Sequence, residues 1–191
     1  MTIEDYLASD FTGRPSRGDL GKESEWLDFC ELSVRGDKVH VVDASYAADP
    51  AEGCMVELAP GVYQTCVKMM AYGQDRRISR LRVLRPGAFA GVSSQIGDTG
   101  TDTGNIGIYD FEVFARAWGS DNETSWEVIS PAIKSAATHG IAVLDKATGA
   151  VMPFVSSGFG DGTFSVYELL TDDARAGFEV VFIKPDAGYP F

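Results

Sequence analysis

Two glycine-bearing segments carry the carboxylates from which a reactive or ligand-holding site could be built. The first reads Gly-Asp-Thr-Gly-Thr-Asp-Thr-Gly-Asn-Ile-Gly over residues 97–107, with Asp110 just beyond. Asp98-Thr-Gly matches the triplet of aspartic proteases, whose chemistry needs two carboxylates sharing one proton. The second triplet begins at Asp102, too close to supply a symmetric partner within one chain, and its flanks are polar. Asp98, Asp102, Asn105 and Asp110 also offer the hard oxygen ligands that Ca²⁺ takes in sets of about six to eight, although the spacing is not that of an EF-hand. A third reading is a plain connection held by Asp and Thr side chains bonded to backbone.

The second segment is Ser-Ser-Gly-Phe-Gly-Asp-Gly over residues 156–162. A dinucleotide-binding glycine loop must open a helix; here the strand-like run Thr-Phe-Ser-Val-Tyr-Glu-Leu follows, which excludes a Rossmann site. Asp161 between two glycines reads as a tight turn demanding positive φ, or as a ligand-holding partner to the Asp98 loop. Cys30, Cys54 and Cys66 are odd in number and form no CxxC pair, so they read as small apolar side chains. His40 and His139 lack the spacing of a zinc site. No cofactor is expected, a divalent cation on the Asp-rich loop being the one exception.

Charge limits the partners. The 191 residues carry a net charge of −12. Nucleic acid is excluded as a partner because phosphate binding needs clustered cations, and attraction to an anionic membrane surface is excluded too. No apolar run approaches the roughly 20 residues of a membrane helix, and acids stand at the start where a secretory signal has cations, so a cytoplasmic location is expected. Residues 61–85 run against this trend, with six basic side chains and one acidic. Arg80 and Arg82 alternate there with Leu81 and Val83, and residues 76–82 are expected to form an exposed basic edge.

These residues must be positioned by short strands. Thr2 and Asp5 form a capping-box pattern for a helix over residues 2–8, and residues 13–22 read as loop or linker. Residues 23–34 have near-helical spacing, although Phe-Cys-Glu-Leu-Ser-Val could equally open a strand. Strands are expected at 38–44, 54–58, 62–71, 78–85, 91–98, 106–108, 140–144, 150–156, 163–169 and 178–183. Residues 98–105 are expected as loop. Asp110 should cap a helix running to Trp118, and residues 125–137 should be partly helical, with Pro131 limiting where the first turn can lie. The fold class is mainly β: an antiparallel sandwich or barrel-like sheet with two or three short helices, α+β being the variant. A polar N-terminal segment, 1–22, precedes a single β-rich domain, 23–191. The expected core is Val41, Val56, Val62, Val67, Leu81, Val83, Ile108, Phe114, Val143, Val155, Val166, Val180 and Phe182.

The order of motifs adds a resemblance. Gly-Asp-Lys-Val-His-Val-Val-Asp-Ala at 36–44 precedes Asp49-Pro50, and Pro60-Gly61 turns into Val-Tyr-Gln-Thr-Cys-Val-Lys-Met-Met. An arginine-bearing strand follows at 78–84, then an Asp-x-Gly loop into Gly-Ile-Tyr-Asp, Ser-Gly-Phe-Gly-Asp-Gly-Thr-Phe at 157–164, and Phe-Glu-Val-Val-Phe-Ile at 178–183. Over residues 35–184 this order resembles a family of uncharacterised bacterial proteins known only as a domain of unknown function. Asp43 is followed here by Ala-Ser rather than Pro, and Phe164 stands where the family has Tyr. The resemblance implies a β-rich bacterial cytosolic domain, marks Asp98, Gly100, Asp110, Gly160, Asp161 and Gly162, and implies no activity. The function expected is a non-enzymatic binding protein of the immunity or regulatory kind, acting on a basic protein partner by charge complementarity. The alternative is a hydrolase or small-ligand site formed by Asp98, Asp102, Asp110 and Asp161 at one rim, with Arg80 or Arg82 compensating the carboxylates. A purely structural β module is the third reading.

Overall fold

A computed structural model describes residues 1–191 apart from Asp10, Pro50, Ser120, Asp173 and the side chain of Asn122. The Asp49-Pro50 pair, the loop through Ser120 and the acidic loop through Asp173 thus fall partly outside the described residues. The strands are β1 (Lys22–Glu23), β2 (Leu27–Val34), β3 (Lys38–Asp43), β4 (Cys54–Glu57), β5 (Gly61–Tyr72), β6 (Asp75–Leu84), β7 (Gly91–Thr101), β8 (Asn105–Asp110), β9 (His139–Asp145), β10 (Ala150–Ser156), β11 (Gly162–Thr171) and β12 (Ala174–Val181). The helices are α1 (Ile3–Leu7), α2 (Phe111–Trp118) and α3 (Asn122–Ser135), with a 3₁₀ turn at Ala44–Tyr46.

The strands form two antiparallel sheets stacked as a sandwich, not a closed barrel. One sheet runs β1–β5–β6–β12–β11–β7, with β2 continuing the β1 edge on β5; the other runs β4–β3–β8–β10–β9. The main core lies between them, with Val67, Leu81, Val83, Val166 and Val180 from the first sheet meeting Val41, Val56, Ile108 and Val155 from the second. The far face of the second sheet is covered by α2, α3 and the 3₁₀ turn around Tyr109, Phe114, Ile129 and Phe154. β3 and β8 are therefore buried on both faces, which is why they read as continuous apolar runs rather than alternating ones.

Three expected core positions lie elsewhere. Tyr63, Thr65 and Val67 point inward from β5, so Val62, of opposite parity, is 48% exposed. Ala142 and Leu144 point inward from β9, which turns Val143 out at 44% exposure. Phe182 lies just past β12, half-buried against Phe164.

Residues 27–34 are strand, not helix. A bulge between Asp28 and Cys30, where the Thr65 hydroxyl meets the backbone of Cys30, breaks the period of two and leaves a helix-like spacing. Pro131 lies deep within α3 rather than in its first turn. It and Glu127, the residue whose carbonyl it leaves without a helical donor, are both exposed.

The N-terminal segment is docked rather than a free linker. Thr2 and Asp5 form the capping box, Ile3 is buried, and Arg76 donates to the carbonyls of Tyr6, Leu7 and Ser9. Gly18 and Asp19 exchange backbone bonds with Tyr189.

Candidate functional site

The two glycine loops do meet at one rim. Thr101 pairs with Gly162 at the end of β7, and the turn through Asp102, Thr103 and Gly104 leads into β8. Ser157 donates its backbone N–H to Gly104 O at 2.9 Å. A Cβ on Gly104, whose φ is +69°, would stand 3.5 Å from the Gly160 Cα and 4.0 Å from an Asp161 carboxylate oxygen. The glycines, Gly160 at φ +116° among them, take the positive φ in the second loop, whereas Asp161 does not.

The side chain that organises this rim is one the sequence reading passed over. Asp43, buried at the end of β3, accepts five hydrogen bonds: from the backbone N–H of Ser45, Asp102 and Thr103, and from the hydroxyls of Thr101 and Thr103. Its signal was local, an Asp ending a valine strand two residues before a Ser whose N–H it caps.

The expected Asp cluster is only partly assembled. Asp102 and Asp161 lie on the rim. Asp98 does not sit in a loop: residues 98–101 continue β7, where Asp98 faces Ser165 and accepts from its hydroxyl and from the Gln95 amide. Asp110 is at the opposite end of β8, about 17 Å from the rim at ~3.3 Å per residue. There it caps α2 through Val113 N–H and accepts from the backbone of Arg35 and Gly36. The ligand set of Asp98, Asp102, Asn105 and Asp110 is thus spread along a strand. Among the described residues no three His, Cys, Asp or Glu side chains are gathered to hold a metal ion.

Arg80 and Arg82 are not at this rim, and residues 76–82 are no exposed edge. They lie in β6, an interior strand. Glu179, 1% exposed on β12, takes Arg80 on one carboxylate oxygen and Arg82 on the other, each at 2.7 Å. Arg80 also binds Glu23, which holds Lys68. Burial by itself would push the Glu23 carboxyl up, but Lys68, Arg80 and Ser79 hold it below its ordinary value. Burial would likewise lower Arg80, and its bonds to Glu179 and Glu23 raise it instead. Arg82 lies over the Trp26 ring, 3.8 Å from its centre. The chain pairs most of its own basic hairpin with acids, Lys68, Arg77, Arg80 and Arg82 all lying in ion pairs.

The thiols and imidazoles are likewise engaged. Burial raises Cys30 and Cys54, and burial with the neighbouring Asp28 carries Cys66 to about 11, the reverse of an activated thiolate. His40 meets the Tyr109 hydroxyl and the Glu52 carbonyl, each at 2.6 Å; the carbonyl requires the proton on Nε2. His139 meets Thr138 and Glu4. Neither ring bonds to a cysteine.

What remains at the rim is a cleft of about 430 Å³ lined by Asp43, Tyr46, Glu52, Gly100, Thr101, Asp102, Gly162 and Thr163. Its ionisable lining is acidic. The side chains of Asp102 and Glu52 have no hydrogen-bond or ion-pair partner among the described residues, and Tyr46 is 43% exposed. Such a surface can accept cationic groups and an aliphatic stem against the ring. Comparison with protein-family models, curated proteins and solved structures finds no match.

Proposed function

We propose that this chain is a non-enzymatic binding protein, of the regulatory or immunity kind in a bacterial cytoplasm, that presents its acidic rim to a basic protein partner. The observation that carries this reading is the division of labour among the carboxylates. Asp43, Asp98, Asp110, Glu23 and Glu179 are consumed by internal hydrogen bonds and ion pairs. Glu52 and Asp102 are left in the rim cleft with Tyr46, and Asp161 lies on the same rim beside Gly104. A net charge of −12 adds a long-range field that speeds encounter with a cationic partner. The resemblance of the ordered motifs to an uncharacterised bacterial family is compatible with this role. The hydrolase alternative has less support, because two of its four aspartates, Asp98 and Asp110, are engaged away from the rim.

The test is an NMR titration of the intact chain with an oligolysine peptide. Shifts concentrated at residues 43–52, 101–104 and 160–163, weakening as salt is raised, are expected. The triple variant Glu52→Lys, Asp102→Lys, Asp161→Lys should lose them while keeping its fold. Shifts of equal size in the triple variant, or spread evenly over the surface, refute the reading.

A further inference from the structure

One stretch of surface departs from the rest of this acidic chain. Residues 86–97, Pro-Gly-Ala-Phe-Ala-Gly-Val-Ser-Ser-Gln-Ile-Gly, hold no charged side chain across twelve positions. They lead out of β6 into the first half of β7, the terminal strand of the larger sheet, which pairs with β11 on one side only among the described residues. Gly91, Val92, Ser93, Ser94 and Gln95 are all exposed, so both faces and the free edge of this half-strand meet solvent. Phe89 is 97% exposed and Val92 50%. A free strand edge is a template for another strand, and folded proteins usually blunt it with charge. Most other edges follow that rule, with Lys22, Glu23, Asp28 and Glu31 on β1 and β2 and Glu57 on β4, while β9 carries charge only at its ends, at Asp145 and the His139–Glu4 pair. The first half of β7 has none at all, its one charge, Asp98, standing in the second half.

We infer that the first half of β7 pairs with its counterpart in a second copy of this chain, antiparallel across a two-fold axis, joining two seven-stranded sheets. The missing charge selects this occupant. In an isologous contact each residue meets its own equivalent or a near neighbour of it, so any charge at the seam would face a like charge. A seam with an unrelated partner imposes no such restriction, since a charge there can be matched by its opposite. Phe89, with almost its whole ring in water, supplies the apolar anchor beside the ladder. The like net charge of two copies opposes approach, but is screened beyond about 10 Å at 0.1 M salt. Pairing therefore strengthens as salt rises, the opposite of the dependence expected for a basic partner at the acidic rim. The inference does not rest on that rim.

Sedimentation velocity of the intact chain over a range of concentrations, at low and high salt, tests it. A monomer–dimer equilibrium whose dimer fraction grows with salt is expected, with amides 91–96 gaining protection from hydrogen exchange as the dimer forms. Val92→Lys puts two ammonium groups across the axis and should weaken association about tenfold or more, the effect of losing a central contact. Val143→Lys, at a similarly exposed position on β9, should leave association unchanged, and both variants should keep the parent circular dichroism. A monomer at every concentration and salt, a dimer that survives Val92→Lys, or one abolished by Val143→Lys overturns the inference.

Discussion

Glu179 shows how far a residue's role can depart from its sequence context. It stands in a valine run on β12, yet its carboxylate is enclosed by the two guanidiniums laid over it. Removing one partner of a buried ion pair strands the other charge, so Glu179→Ala should cost about 3–5 kcal/mol. Urea unfolding should register that loss; a change within the roughly 0.5 kcal/mol of an ordinary surface site would mean the arginines are solvated. Asp43→Ala strips the acceptor from three N–H groups and two hydroxyls at once. Thr101 is the one buried group among these, Asp102 and Thr103 being exposed to water, so a loss of about 1–3 kcal/mol is expected, together with disorder of the 101–104 turn visible by NMR. Cys66, carried to about 11, should resist alkylation at pH 8 in the native protein and react readily in urea; rapid native labelling would contradict the packing around Asp28.

At the scale of elements, α1 has only five residues and cannot persist alone. Its capping box satisfies the first turn, while Arg76 reaches from β6 to collect carbonyls at its other end. Arg76→Ala should free residues 1–9 to exchange amide hydrogen quickly while the sandwich keeps its protection, since the clamp joins a short terminal element to a larger body. Equal loss of protection throughout would show that the segment is integral to the sandwich. β2 makes the complementary point. Its pattern suited helix or strand, and the choice fell to strand because the β5 edge, continuous from Gly61 to Tyr72, offers a ladder that a helix could not use.

For the whole molecule, acid is the sensitive direction. Burial holds His40 below its ordinary 6.5, against the opposing pull of the Glu52 carbonyl and Asp49. Because the folded value is lower than the unfolded one, the unfolded chain binds more protons in acid. The neutral ring's contribution is complete above about pH 6.5 and is lost as pH falls through the folded value. His40→Gln should reduce the acid slope of stability measured by denaturant unfolding between pH 7 and 5; an unchanged slope would assign it to carboxylates instead.

The amino-acid sequence alone determined what depends on near neighbours along the chain. The capping box at Thr2 and Asp5, the Asp110 cap of α2, the hairpins β5–β6 and β9–β10, and the antiparallel β class all follow from local spacing and turn chemistry. The meeting of the two glycine loops at one rim was also legible, because the loops joining the strands of a sandwich gather at its ends. Only the tertiary structure decided which charges would be spent. Glu23 and Glu179 are 57 and 99 residues from Arg80 in the chain, and Asp43 is 58 from Thr101. No local pattern encodes such pairs, since they arise from strand order and register. Burial then fixes the outcome: a carboxylate enclosed by its partners becomes framework, and one left at the rim keeps its charge facing water.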